Sequence, residues 1–135
     1  MVSATHIHHM TLIVNDEDKT RDFFGRILGL PEIKKPSPVM SVVWFGVESN
    51  ELHCMVRPDQ VEDGRTDMSL NGPDRGFEGR HVAFTVEESL DQVAAVFEEE
   101  GISYHRGTAG LPQIFCEDPS GNFIEINTGW YQRPL

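Results

Sequence analysis

Hydrophobic and polar positions fall into a pattern that recurs along this chain. Residues 7–14, IHHMTLIV, are dense in aliphatic and β-branched side chains and predict a strand. A helix is expected over 17–28. Asp16 is placed to cap it, Phe23, Phe24, Ile27 and Leu28 form an apolar stripe, and Gly29 stops it. Short strands are expected at about 31–35, 40–46 and 51–57. The series then begins again with a strand over 80–86 and a helix over 89–100. In that helix Ser89 and Gln92 have the spacing of a capping box, Leu90, Val93, Ala94 and Phe97 form the stripe, and Gly101 ends it. Strands at about 103–106, 112–117 and 122–127 complete the second series.

The two series are in register. Shifting the chain by 72 residues lays HMTLIV (9–14) on HVAFTV (81–86), Gly29-Leu30 on Gly101-Ile102, and SNELHCM (49–55) on GNFIEIN (121–127), with no gap. One supersecondary unit, βαβββ, is thus used twice. The predicted fold is α+β: two βαβββ modules, about 5–58 and 80–129, forming a curled, open, mixed sheet within one domain spanning 1–135. Residues 59–79 join the modules. They are rich in Asp, Gly and Pro, lack a period, and are long for a connection within a domain. They read as a linker, with a lid over a site as the alternative.

Strand alternation separates the histidines. Met10, Leu12 and Val14 share the face expected to meet the helix, which leaves His9, Thr11 and Ile13 on the other. Val82, Phe84 and Val86 likewise leave His81, Ala83 and Thr85. In the last strands, Leu52 and Cys54 pack and leave Glu51, His53 and Met55, while Ile124 and Ile126 pack and leave Glu125 and Asn127. His9 to His53 and His81 to Glu125 are both 44 residues apart. The repeat therefore places two ligand-type side chains per module at matched positions. Three imidazoles and a carboxylate, if the modules bring them together, suit a divalent transition metal. His6 and His8 have the opposite parity and read as edge or surface residues, with His8 a candidate partner to a ligand. His105 reads as a surface residue or a substrate contact.

Charge narrows the function. The net charge of −11 argues against nucleic acid and against an anionic membrane surface, both of which require basic patches. Cys54 and Cys116 form no CxxC pair and lie in apolar runs, as free buried thiols do. No basic segment followed by an apolar one marks a signal peptide, and no apolar run approaches the roughly 18 residues of a membrane span. The expectation is a cytoplasmic protein.

With these residues in place, the sequence resembles the vicinal oxygen chelate superfamily, the glyoxalase/bleomycin-resistance/extradiol-dioxygenase group. The resemblance rests on IHHMTLIVND, FFGRILGL, GRHVAFTV and above all QIFCEDPSGNFIEIN, and it covers all but 59–79 and the C-terminal tail. In that family paired modules surround a metal, with ligands from the first and last strand of each. Carried over, this implies the same four residues as parity: His9, His53, His81 and Glu125. Glyoxalase-type members carry a glutamate where this chain has His53, and the dioxygenase and fosfomycin-modifying members have no ligand there. His53 is thus a fourth ligand or an acid/base or substrate contact, and Glu51, of the same parity, is its substitute.

The resemblance implies a metal-dependent lyase or isomerase acting on a small molecule with vicinal oxygens. Zn, Ni, Co, Mn or Fe would act as Lewis acid, and Glu125 or His53 would be the proton-abstracting base. A single-domain extradiol-type ring-cleavage dioxygenase and a non-catalytic resistance protein that binds a drug or metabolite are the alternatives. Arg57, Arg65, Arg75, Arg80 and Arg106 are candidate anion contacts, each with a solvated surface role as the simpler reading. Trp130 and Tyr131 are placed to cap the pocket, or to cover the core or a dimer partner. Open sheets leave edges to cover, so a homodimer is expected.

Overall fold

Strands that alternate apolar and polar side chains need a second layer on one side, and in both halves a helix supplies it. The computed structural model describes residues 1–59, 80–107 and 110–129. The chain divides into two compact units, Met1–Gly64 and Arg65–Leu135.

The first unit runs β1 (His9–Val14), α1 (Glu17–Thr20), a π-helical segment (Arg21–Ile27), then β2 (Glu32–Ile33), β3 (Val42–Val47) and β4 (Asn50–Val56). The second runs β5 (Val82–Thr85), α2 (Leu90–Glu99), β6 (Tyr104–Arg106), β7 (Gln113–Glu117) and β8 (Phe123–Asn127). This is the predicted βαβββ order, twice. Each unit forms its own four-stranded mixed sheet, ordered β1-β4-β3-β2 and β5-β8-β7-β6. In each the first strand pairs parallel to the last and the other pairs are antiparallel.

Register explains the cores. Leu12, Cys54 and Val43 lie abreast across β1, β4 and β3, and Leu52 lies opposite Phe45. Cys54, Val43, Leu52 and Phe45 are almost wholly buried. Phe24 comes down on this face with its ring 5.9 Å from that of Phe45. Truncating a buried phenylalanine of this kind, Phe24→Ala, is expected to cost about 3–5 kcal/mol. In the second unit Val82, Ile124 and Cys116 lie abreast, as do Phe84, Ile126 and Ile114, with Val93, Ala94 and Phe97 of α2 buried in the same unit.

One predicted core residue is not in the core. Met10 pairs with Leu52 on the helix face yet is 42% exposed. β1 is an edge strand, and the helical segment packs over β3 on the far side of β4, so the start of β1 lies beyond its cover. The first helix also departs from expectation. Asp16 caps it through Lys19 N as predicted, but the helix widens after Thr20, with Leu28 N bonding to Phe23 O five residues back.

Both helices end on a glycine with positive φ, Gly29 at 73° and Gly101 at 70°. At α2 the bonds Ile102 N to Phe97 O and Gly101 N to Glu98 O make a Schellman ending. The capping box of Ser89 and Gln92 is present in both directions. No helix among the described residues is long and apolar enough to cross a membrane.

Candidate functional site

The face of each sheet turned away from its helix carries the candidate ligands. In the second unit, β8 is aimed by the turn before it. Asp118 Oδ1 accepts from the backbone N–H groups of Ser120 (2.9 Å) and Asn122 (2.8 Å), and Oδ2 accepts from Asn122 Nδ2 (2.9 Å). Burial pushes the Asp118 carboxyl above the usual carboxylate range, with these donors pulling the other way. β8 leaves the turn buried on both faces: Ile124 and Ile126 toward the helix, and Phe123, Glu125 and Asn127 on the other side.

Glu125 is 1% exposed, a position that a carboxylate occupies only when its oxygens are partnered. Gln113 Nε2 and Asn127 Nδ2 both donate to Oε1, each at 3.0 Å. Oε2 lies 3.0 Å from His81 Nε2. Asn127 in turn accepts from the Thr85 hydroxyl at 2.7 Å. His81 is half-buried, its ring edge-on to Phe115, and His105 lies across Phe115 at 5.3 Å between ring centroids.

The first unit places its residues differently. His53, 7% exposed, is sandwiched between two rings: Trp44 at 3.7 Å and 3° between planes, and His9 at 4.1 Å and 16°. Trp44 lies opposite His53 in register, and His9, two residues before its other register partner Thr11 on the same face of β1, reaches it diagonally. His53 Nε2 donates to Glu51 Oε2 at 2.6 Å, and that bond holds the Glu51 carboxyl below the usual carboxylate range. His9 is exposed, and its Nδ1 lies 3.0 Å from His8 Nδ1. His6 bonds to Thr5 at the surface. Trp44 Nε1 is buried and finds no hydrogen-bond partner among the described residues.

The structure thus brings His9 to His53 and His81 to Glu125. Among the described residues no group of three or more His, Cys, Asp and Glu side chains is arranged to hold a metal. The second pair has donor chemistry that suits one: an imidazole nitrogen and a carboxylate oxygen, 3.0 Å apart, are both atoms that a divalent transition metal would take. A carboxylate only accepts, so Nε2 carries a proton here, and a cation would take that proton's place. At His53 the Nε2 atom is engaged by Glu51, so ligation through it requires Glu51 to give way.

Of the candidate anion contacts, Arg106 pairs with Asp91 at 2.6 Å, and Arg57 donates to the carbonyls of Val56 and Ser41. Arg80 is exposed. Arg65, Arg75, Trp130, Tyr131 and all of the joining segment but Asp59 lie outside the described residues. Sequence reasoning missed Gln113 and Trp44, the residues that hold Glu125 and His53. Their own strands were predicted, and the missing signal was the register that sets them opposite Asn127 and His53.

The family model of the Glyoxalase/Bleomycin resistance protein/Dioxygenase superfamily matches residues 6–126. Solved structures with the same fold include a glyoxalase family protein from Bacillus anthracis, 23% identical over 93% of this chain and 96% of that one, with a TM-score of 0.66. A lactoylglutathione lyase from Agrobacterium tumefaciens is 26% identical over 95% and 98%, TM-score 0.63. The fosfomycin resistance protein FosX from Listeria monocytogenes is 20% identical over 98% and 95%, TM-score 0.66. A comparison with curated proteins returned no match.

Proposed function

Because the chain belongs to the Glyoxalase/Bleomycin resistance protein/Dioxygenase superfamily, we propose that it is a metal-dependent enzyme of the lyase/isomerase type acting on a small molecule with vicinal oxygens. The observation that carries the reading is the Glu125–His81 pair: a buried carboxylate with one oxygen saturated by amide donors and the other turned to an imidazole. His9, His53, His81 and Glu125 are the proposed ligands, with modules pairing within one chain or between the two chains of a homodimer. A bound Zn, Ni, Co, Mn or Fe ion would polarise the substrate oxygens and stabilise the charge that develops on them.

The residues of the chain supply the rest. A base must take a proton from the carbon next to a carbonyl, and it must lie within hydrogen-bond reach of that proton. Glu125 suits the task because Gln113 and Asn127 fix Oε1 and leave Oε2 to exchange partners. His53 is the second candidate: the rings of Trp44 and His9 fix its plane, and Glu51 accepts its Nε2 proton.

The test is metal binding followed by turnover. A cation held at a hundred times its dissociation constant stabilises by about 2.7 kcal/mol, roughly 10 °C in Tm for a chain of this size. Such a shift with one of these ions, abolished by Glu125→Gln and by His81→Ala, is the expected result. Loss of a glutathione hemithioacetal on addition of the loaded protein identifies glyoxalase-type chemistry. Oxygen uptake with catechols identifies a dioxygenase instead, and no metal-dependent shift with any of them leaves a ligand-binding protein of the same fold.

A further inference from the structure

Glu125 has two oxygens, and the surrounding side chains treat them unequally. Oε1 accepts two amide N–H groups, from Gln113 and Asn127. Oε2 faces His81. An amide can turn either its oxygen or its nitrogen to a neighbour, so something must set the direction. For Asn127 the carboxylate sets it, because it only accepts, and the amide oxygen left over accepts from the Thr85 hydroxyl at 2.7 Å, which holds the amide in place. The chain of donation runs one way, from Thr85 through Asn127 to Oε1.

The geometry points to Thr85, Asn127 and Gln113 as positioning residues that present Oε2 alone to the cation, so that Glu125 ligates through one oxygen. This rests on the metal-dependent reading above. Double loading of Oε1 lowers its capacity to bond a cation and pins the carboxylate plane, as outer hydrogen bonds to metal ligands do generally.

The duplication supplies an independent argument. The counterparts of Thr85 and Asn127, 72 residues earlier, are Ile13 and Met55, and the residue opposite Met55 in register is Val42, as Gln113 is opposite Asn127. None of the three carries a side-chain donor. The counterpart of Glu125 is His53, a ring with no second oxygen to select, and it is set by stacking instead. Among the described residues, amide donors therefore flank the carboxylate and not its counterpart, whose Nε2 bonds to Glu51 instead. A network that merely filled the sheet face would have no reason to follow the ligand type.

Thr85 is exposed on the edge strand β5, so Thr85→Val, nearly isosteric and β-branched, leaves the core untouched. Two measurements on the full chain test the inference. In the metal-free protein, the side-chain NH2 resonances of Asn127 should lose their distinct, slowly exchanging signature in Thr85→Val and keep it in Thr85→Ser. By calorimetry with Zn²⁺ or Co²⁺, Thr85→Val should bind about tenfold more weakly, and Thr85→Ser should return to within about twofold of the parent. Parent binding with Thr85→Val unchanged overturns the positioning role and leaves the metal reading intact. A parent that takes up neither ion overturns both. A purely structural role would lower the Tm of Thr85→Val without moving the affinity.

Discussion

Cys116 shows what a buried side chain does to its own chemistry. It sits in β7 on the helix face, and burial pushes its thiol from an ordinary 9.0 up to about 12, with Asp118 and Glu117 adding to the effect. The folded chain thus favours the neutral thiol more than the unfolded chain does. That contribution is whole below the ordinary thiol value and is lost as pH climbs from 9.0 toward 12. Cys54 is buried as well. Neither thiol should react with Ellman's reagent at mildly alkaline pH until urea unfolds the chain, and reaction of Cys116 in the native state would contradict its placement. At this scale alternation read much of the site. It put His53 and Glu125 on the face away from the helix, where the structure has them, because parity within one strand needs no tertiary information. It misjudged Met10, since the reach of a helix across a sheet is tertiary. It also left Gln113 unnoticed, since which residue stands opposite Asn127 depends on register between strands.

Secondary-structure elements were legible where a local motif fixes them. The Ser89–Gln92 capping box is such a motif, and Ser89→Ala is expected to cost about 1 kcal/mol in urea unfolding, with no change in metal affinity. The π-helical widening after Thr20 was not legible. Phe23, Phe24, Ile27 and Leu28 recur at a spacing of four, which serves both an α-helical and a wider helical stripe, so pattern alone does not choose. Gly107, at the end of β6, shows how an element bears on the site. A Cβ there would lie 3.1 Å from Gln113 Oε1 and 3.3 Å from Phe115 Cε2. Gly107→Ala should therefore push on the amide that holds Glu125. If Gln113 positions Glu125, this substitution weakens metal binding by about tenfold, as Thr85→Val does, at the low end of the roughly 10–100-fold range of outer-shell changes. Calorimetry on Gly107→Ala beside Gln113→Met separates the two causes, since Gly107→Ala should add nothing once the amide is gone.

On the scale of the whole molecule, duplication made the fold readable and divergence between the copies gives each half its own chemistry. The 72-residue offset carries strand order, helix-ending glycine and the position of the candidate ligands from one half to the other. It does not carry the surroundings: a hydrogen-bonded carboxylate in the second half, a stacked imidazole in the first. Two such halves are consistent with two different schemes, and metal stoichiometry separates them. If His9, His53, His81 and Glu125 serve one ion, native mass spectrometry should find one per chain, whether the modules pair within a chain or exchange between two. Replacing either candidate pair, His9 with His53 or His81 with Glu125, should then remove that ion. Two ions per chain would give each module its own ion, and one that survives loss of both His9 and His53 would confine binding to the second module. The paired placement of ligands that first marked this sequence would in that case reflect shared ancestry of the strands and not a shared cation.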